Sequence, residues 1–193
     1  MQEKNNMLRT PVRYFKGVGP RKSEDLARLG IRVVEDVLYY LPSRYEDRSK
    51  LVRIRDLKVG ETRMVRGEVV STGSRIAKSG LPMFQATVTD QSGFIHAVWF
   101  RQPYLKDYIR KGQKITLYGK IELYDRVQIV NPEYEVLKDG AAGSVHMGRI
   151  VPVYPSTANL TQKFLRNLMH LVVTTSARSL QERMPTYIIA REK

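Results

Sequence analysis

The sequence predicts a mainly β protein with flanking helices, an α+β chain in which a small helical segment precedes five strands. Three observations carry this expectation. Apolar residues recur at helical spacing before residue 58, the period drops to two from about Thr62, and one further helical stripe falls between the third and fourth strands.

The helical part opens on residues 11–16, a short entry segment, and on Gly17-Val18-Gly19-Pro20. Glycine accepts positive φ there and proline suits the first helical position, so a hairpin between helices is expected. The next helix, 21–29, has Leu26, Ala27 and Leu29 as its apolar residues, acidic Glu24-Asp25 toward its positive end and Gly30 at its exit. Another helix is signalled by Val34, Val37, Leu38 and Leu41 and ends before Pro42, after which 43–50 is a charged connector.

In the strand region Val65, Gly67 and Val69 alternate with Arg66, Glu68 and Val70, and Phe84, Ala86 and Val88 with Gln85, Thr87 and Thr89. A loop at 77–82 and a tight turn at 90–93 separate these from a third strand, 94–100. Leu105, Tyr108 and Ile109 then form a helical stripe closed by Gly112, before two long strands at 114–124 and 127–137. Five strands with a helix between the third and fourth is the plan of an OB-fold, a small Greek-key barrel. The expected division is therefore 1–58 helical, 59–138 OB-fold, and 139–193 a linker with the start of a further domain. Within the last, 138–148 is the linker, 150–155 is extended, 160–174 is helical, and 179–193 carries one more short helical signal.

Composition narrows the function. The 193 residues contain no cysteine, which excludes disulfides, thiolate zinc sites and cysteine nucleophiles, and His96, His146 and His170 lie too far apart to suggest a metal site. There is no run of roughly 18 apolar residues, and residues 1–10 are polar, without a signal-peptide core. A cytoplasmic protein without membrane contact is expected. The formal charge of +14 points to a polyanionic partner, and the excess runs along the whole chain at +6 in residues 1–60, +3 in 61–137 and +5 in 138–193.

Four patterns bear on chemistry. The Gly17-Val18-Gly19 hairpin is a helix-hairpin-helix pattern whose backbone N–H groups can hold a phosphate, with Arg13, Lys16, Arg21 and Lys22 around it, although such a turn can equally serve only to pack two helices. Walker A needs Gly, four residues, then Gly-Lys-Ser/Thr; residues 73–79 and every other segment lack that spacing, so no ATP hydrolysis is expected of this stretch. The acidic pairs Glu24-Asp25, Glu35-Asp36 and Glu46-Asp47 suit helix starts and solvated positions better than a magnesium site, so no metal is expected. Finally, in Trp99-Phe100-Arg101-Gln102-Pro103-Tyr104-Leu105 the alternation of strand faces turns Phe100 outward if Trp99 is core. Exposed rings beside cations stack on unpaired bases while the cations follow phosphates. Phe100 and Tyr104 are the candidate platforms, with Arg101, Lys106, Arg110, Arg75 and Lys78 as candidate backbone contacts. Covering one end of the barrel is the other role open to the two rings.

Several tracts resemble the N-terminal part of RecG helicases: Phe15-Lys16-Gly17-Val18-Gly19-Pro20, Leu29-Gly30-Ile31, the run from Asp36 through Leu41-Pro42-Ser43-Arg44-Tyr45-Glu46-Asp47-Arg48, the Trp99 to Leu105 segment, and Val151-Pro152-Val153-Tyr154-Pro155. The resemblance implies a wedge that enters a DNA branch point, with Phe100 and Tyr104 at the positions whose rings stack where the parental duplex splits. It implies branched DNA as the partner, in forks and Holliday junctions met during recombination and repair. It also implies a monomer, joined to motor domains of the same polypeptide that use ATP and magnesium, in a bacterial cytoplasm near the nucleoid. Members of that family usually have Asn where Arg101 stands, and Thr157-Ala158-Asn159-Leu160 departs from their acidic-glycine version. Two other classes fit the composition: a free-standing OB-fold protein for single-stranded DNA or RNA, and an OB domain whose basic surface binds an acidic protein.

Overall fold

The change of hydrophobic period near Thr62 marks where helices give way to sheet in the computed structural model, which describes residues 7–77, 79–137, 146–180, 188 and 191. The chain divides into two compact units, one drawn from Met1–Tyr45 with Pro152–Lys193 and the other from Glu46–Val151.

The first unit is helical. It holds α1 (Pro20–Arg28), α2 (Val34–Leu38) and α3 (Gln162–Ser176). Leu165, Leu168, Met169 and Val172 form one stripe of α3 and share a core with Leu8, Val12, Val18, Leu26, Ile31, Val34 and Val37. Residues 160–172 thus complete the core begun by residues 8–37, so the compact units differ from the expected consecutive segments 1–58, 59–138 and 139–193.

Local hydrogen bonding explains where the helices depart from expectation. Residues 11–16 yield only a 3-10 turn, Val12–Tyr14, because the backbone there bonds sideways: Val12 N–H donates to Arg32 O and Val34 N–H to Thr10 O, each at 3.0 Å. Glycine is required on both sides of α1, at Gly17 with φ +89° and Gly30 with φ +81°. α2 stops at Leu38, leaving Leu41 75% exposed, since Pro42 biases its predecessor to extended backbone. The acidic pairs serve the fold. Asp25 bonds Arg28 and Asn159, Asp36 Oδ2 accepts from the amides of Arg32 and Val33 at 2.8 and 2.9 Å, and Glu46 pairs with Arg48. Asp25 lies beyond the first turn of α1, so its dipole contribution there is small.

Two strands, β1 (Arg44–Asp47) and β8 (Ile150–Val153), form a sheet of their own. The second unit is built on six strands: β2 (Thr62–Ile76), β3 (Pro82–Thr89), β4 (Phe94–Phe100), β5 (Lys114–Leu123), β6 (Val127–Val130) and β7 (Glu133–Val136). Their order is β2-β3-β4-β6-β5-β7, and β2 also pairs with β5. The long β2 makes this possible: Thr62 to Glu68 pair with β5, and Glu68 to Ile76 pair with β3 across an irregularity between Val69 and Ser71. All pairings are antiparallel except β4 with β6. This is an OB-like topology.

The predicted alternation holds: Val65, Val69, Phe84, Ala86, Val88, Ile95, Ala97 and Trp99 are buried together with Leu105, Ile109 and the inward residues of β5 and β6. Two expectations change. The single strand 127–137 is two strands, because Asn131 takes φ +47° and Pro132 carries no amide hydrogen. Pairing with β5 steps by one residue there, from Ile121↔Ile129 to Tyr118↔Glu133, which makes a bulge. The helix between β4 and β5 is a 3-10 helix, Pro103–Asp107, so Leu105 and Ile109 are buried but Tyr108 is 62% exposed.

Candidate nucleic-acid interface

The end of β4 is fixed from below. Trp99 is 1% exposed, packs on Phe84 and edge-on to Tyr134, and donates its indole N–H to Pro132 O at 2.9 Å. Asn131 donates its amide to Val98 O at 2.7 Å, and its side-chain Oδ1 accepts from the Phe100 amide at 2.9 Å. Thus the bulge carrying Asn131 and Pro132 clamps three successive residues of β4. With Trp99 inward, Phe100 faces the opposite side and lines a groove.

That groove measures about 440 Å³. Its floor is the outer face of β3 and β4, namely Met83, Gln85, His96, Val98 and Phe100. One wall is the end of β2 and its loop, with Arg75, Ile76, Ala77 and Ser79; the other is the turn from β5 to β6, with Tyr124, Asp125, Arg126 and Gln128. In OB-type sheets this strand face and these two loops are the surface that takes oligonucleotides.

A polar chain crosses the floor. Arg75 Nη2 donates to Gln85 Oε1 at 2.9 Å, which turns the amide nitrogen of Gln85 toward His96, 3.2 Å from Nδ1. Thr87 Oγ1 lies 3.1 Å from the same Nδ1, and Arg126 Nη1 stands 3.2 Å from His96 Nε2. Arginine can only donate, so Nε2 accepts; Nδ1 of the neutral ring then carries the hydrogen and donates to Thr87 Oγ1, and the Gln85 amide nitrogen, itself a donor, only touches it. Burial first, then the charges of Arg126 and Arg75, hold the His96 pKa below its ordinary value.

The expected site residues fall into three places. Phe100, partly exposed, and Arg75 meet in the groove. Arg101, Tyr104, Lys106 and Arg110 stand exposed along the 3-10 helix and its exit, with Tyr104 53% exposed, its hydroxyl donating to Gln102 Oε1 at 3.0 Å and its ring edge-to-face with Tyr108. Lys78 lies outside the described residues. Gly17, Gly19, Arg21 and Lys22 belong to the helical unit, where the turn follows a 3-10 turn and so makes only half of a helix-hairpin-helix. Lys22 Nζ donates to Gly17 O at 3.1 Å and sits 4.2 Å over the Phe164 ring, binding the turn to α3.

Arg101 takes φ +59°, a left-handed conformation that L residues with a branched or bulky side chain avoid and that asparagine tolerates. Sequence reading missed His96, Arg126, Tyr124 and Gln128 as groove residues. His96 and Gln128 meet only through the parallel pairing of β4 with β6, a contact without a local signature.

The site is thus an OB-like sheet whose groove is bordered by arginines and ends on an outward ring. The chain matches the RecG wedge domain over residues 11–175, and it belongs to that family. It is 29% identical over 191 residues to the ATP-dependent DNA helicase RecG of Thermotoga maritima, covering 96% of this chain and 24% of that protein. To RecG of Escherichia coli strain K12 it is 31% identical over 160 residues, 82% of this chain and 23% of the other. A solved structure of RecG bound to a three-way DNA junction is similar at 30% identity and a TM-score of 0.78, over 96% of this chain and 25% of that one. The chain thus spans about a quarter of the length of these relatives. Among the described residues, no helix is long and apolar enough to cross a membrane.

Proposed function

We propose that this chain is the branched-DNA-binding wedge of a RecG-type helicase, in which Phe100 and Tyr104 cover the base faces exposed where strands part. The observation that carries this is the end of β4: Trp99 anchored inward, Phe100 turned out into an arginine-bordered groove, and Tyr104 exposed on the following 3-10 helix. The family membership and the likeness to a RecG bound to a three-way junction support the same reading.

The physical mechanism follows from stacking and charge. Opening a base pair removes stacking that a fixed aromatic ring restores, by roughly 1–3 kcal/mol per base. Arg101, Lys106, Arg110 and Arg75 attract the phosphates of the separated backbones without reading bases, so recognition is of branched shape. In the parent polypeptide, motor domains bind ATP and magnesium and pull duplex past this wedge during fork regression in recombination and repair. The parent acts as a monomer in the bacterial cytoplasm, close to the nucleoid.

The test is a comparison of a three-way junction, a linear duplex and a single strand at equal salt, repeated at a second, higher salt concentration. The wedge reading requires the junction to bind tightest. Equal affinity for single strand and junction means a free-standing single-strand binder, and affinity nearly independent of salt means a protein-binding OB domain.

A further inference from the structure

We propose that Tyr108 is a positioning residue of the wedge: its ring holds that of Tyr104 in the orientation that meets an unpaired base. The inference rests on the wedge reading, which makes Tyr104 a stacking ring, and adds the neighbour that sets that ring in place before DNA arrives.

The local backbone brings the two rings together. Leu105 and Ile109 are buried and pin the Pro103–Asp107 helix and its exit onto the barrel. The residue before each anchor is exposed, so Tyr104 and Tyr108 stand side by side four positions apart. The amides of Tyr108 and Ile109 both donate to Leu105 O, at 3.0 and 2.9 Å, which closes the turn between them. Their ring centroids are 6.4 Å apart and their planes cross at 84°, the edge-to-face arrangement that the aromatic quadrupole favours. The Tyr104 hydroxyl donates to Gln102 Oε1 at 3.0 Å, so the far end of that ring is held as well. Tyr134, packed against the core and edge-on to Trp99 at 5.7 Å, stands near both: burial first, then the closeness of Tyr104 and Tyr108, raises its pKa. A free surface side chain loses rotamer freedom when a base stacks on it, whereas a ring already ordered by its neighbours loses little, and the difference appears as affinity. Because the two rings are perpendicular, one flat base cannot lie on both. Tyr104, the nearer in the chain to Phe100, takes the base, and Tyr108 sets its angle.

The full chain tests this with a three-way junction that carries a fluorescent purine analogue at the branch point, dimmed when the base is stacked. Tyr108→Leu is expected to bind the junction about two- to tenfold more weakly, the span that an edge-to-face aromatic pair accounts for, and to leave the analogue brighter. Tyr108→Phe keeps the ring and should restore both affinity and dimming. In a Tyr104→Ala background Tyr108→Leu should add nothing, since a positioning residue acts through the ring it holds, whereas a general loss of structure would persist there. An undiminished effect in that background overturns the positioning role. So does a Tyr108→Leu variant that binds and dims like the unaltered protein while Tyr104→Ala is weakened, and in both cases the wedge reading stands. Tyr104→Ala binding the junction as tightly as the unaltered protein overturns the wedge reading and the positioning role with it.

Discussion

The side-chain oxygen of Asn131 accepts a hydrogen bond from the backbone N–H of Phe100 at 2.9 Å, so a bulge between β6 and β7 holds the last residue of β4 in place. Few local features of the sequence announce this contact, yet it sets where the Phe100 ring projects. Removing the acceptor leaves an amide without its partner, at a cost of about 1–3 kcal/mol where water cannot replace it. Asn131→Gly keeps the left-handed backbone and loses the acceptor. It is expected to lower thermal stability and to weaken junction binding more than a substitution at exposed Lys58 does. A melt and a junction titration on the same sample check both.

Arg101 separates a backbone role from a charge role. Its φ of +59° costs an arginine about 1–2 kcal/mol. Arg101→Asn should therefore raise stability by up to about 1 kcal/mol, and Arg101→Val should lower it. If the guanidinium also meets phosphate, the more stable Asn variant binds a junction more weakly and with a shallower salt slope. Denaturant melts and titrations at two salt concentrations read the two effects apart.

Arg48 is 3% exposed and lies between carboxylates: it bonds both oxygens of Glu133 at 2.9 and 2.8 Å and Glu46 at 2.6 Å, with its guanidinium 3.8 Å over the Tyr118 ring. Glu46→Gln with Glu133→Gln leaves a buried cation uncompensated, which costs about 3–5 kcal/mol when one side of such a pair is lost. The carboxylates are 22% and 33% exposed, so the lower end is expected. Arg48→Met removes the charge itself and should be milder. Urea melts of the two variants test the ordering.

The groove predicts a pH dependence through His96. The groups that face it are Arg75 and Arg126, the neutral Gln85, Thr87 and Gln128, and, on the β5–β6 turn, Asp125 and Tyr124. Its pKa is held below the ordinary imidazole value of about 6.5, so the neutral ring is the folded form and its contribution to stability is lost as pH falls through that lowered value. Thermal stability should therefore fall as pH drops below about 6.5, and His96→Gln should remove that part of the fall, which melts between pH 5 and about 8 would show.

Much of the sheet was legible because alternation is a local signal: Val65, Val69, Phe84, Ala86, Val88 and Trp99 declare one face without any partner in view. The outward setting of Phe100 followed from the same parity. Other features depend on partners distant in the chain. The bulge at Asn131 answers to β4, the groove joins β4 to β6, and α3 closes a core begun by Leu8 and Val12. The tract Tyr45-Glu46-Asp47-Arg48, prominent in the family resemblance, holds a structural clasp at Arg48, and its ligand Glu133 lies 85 residues on.

The wedge itself is tested most directly by Phe100→Ala combined with Tyr104→Ala, measured for affinity to a three-way junction beside a thermal melt. A loss of roughly 1–3 kcal/mol is expected for each base that was stacked, with the melting temperature nearly unchanged because neither ring is core. Junction affinity equal to that of the unaltered protein, with the fold intact, would contradict a stacking wedge.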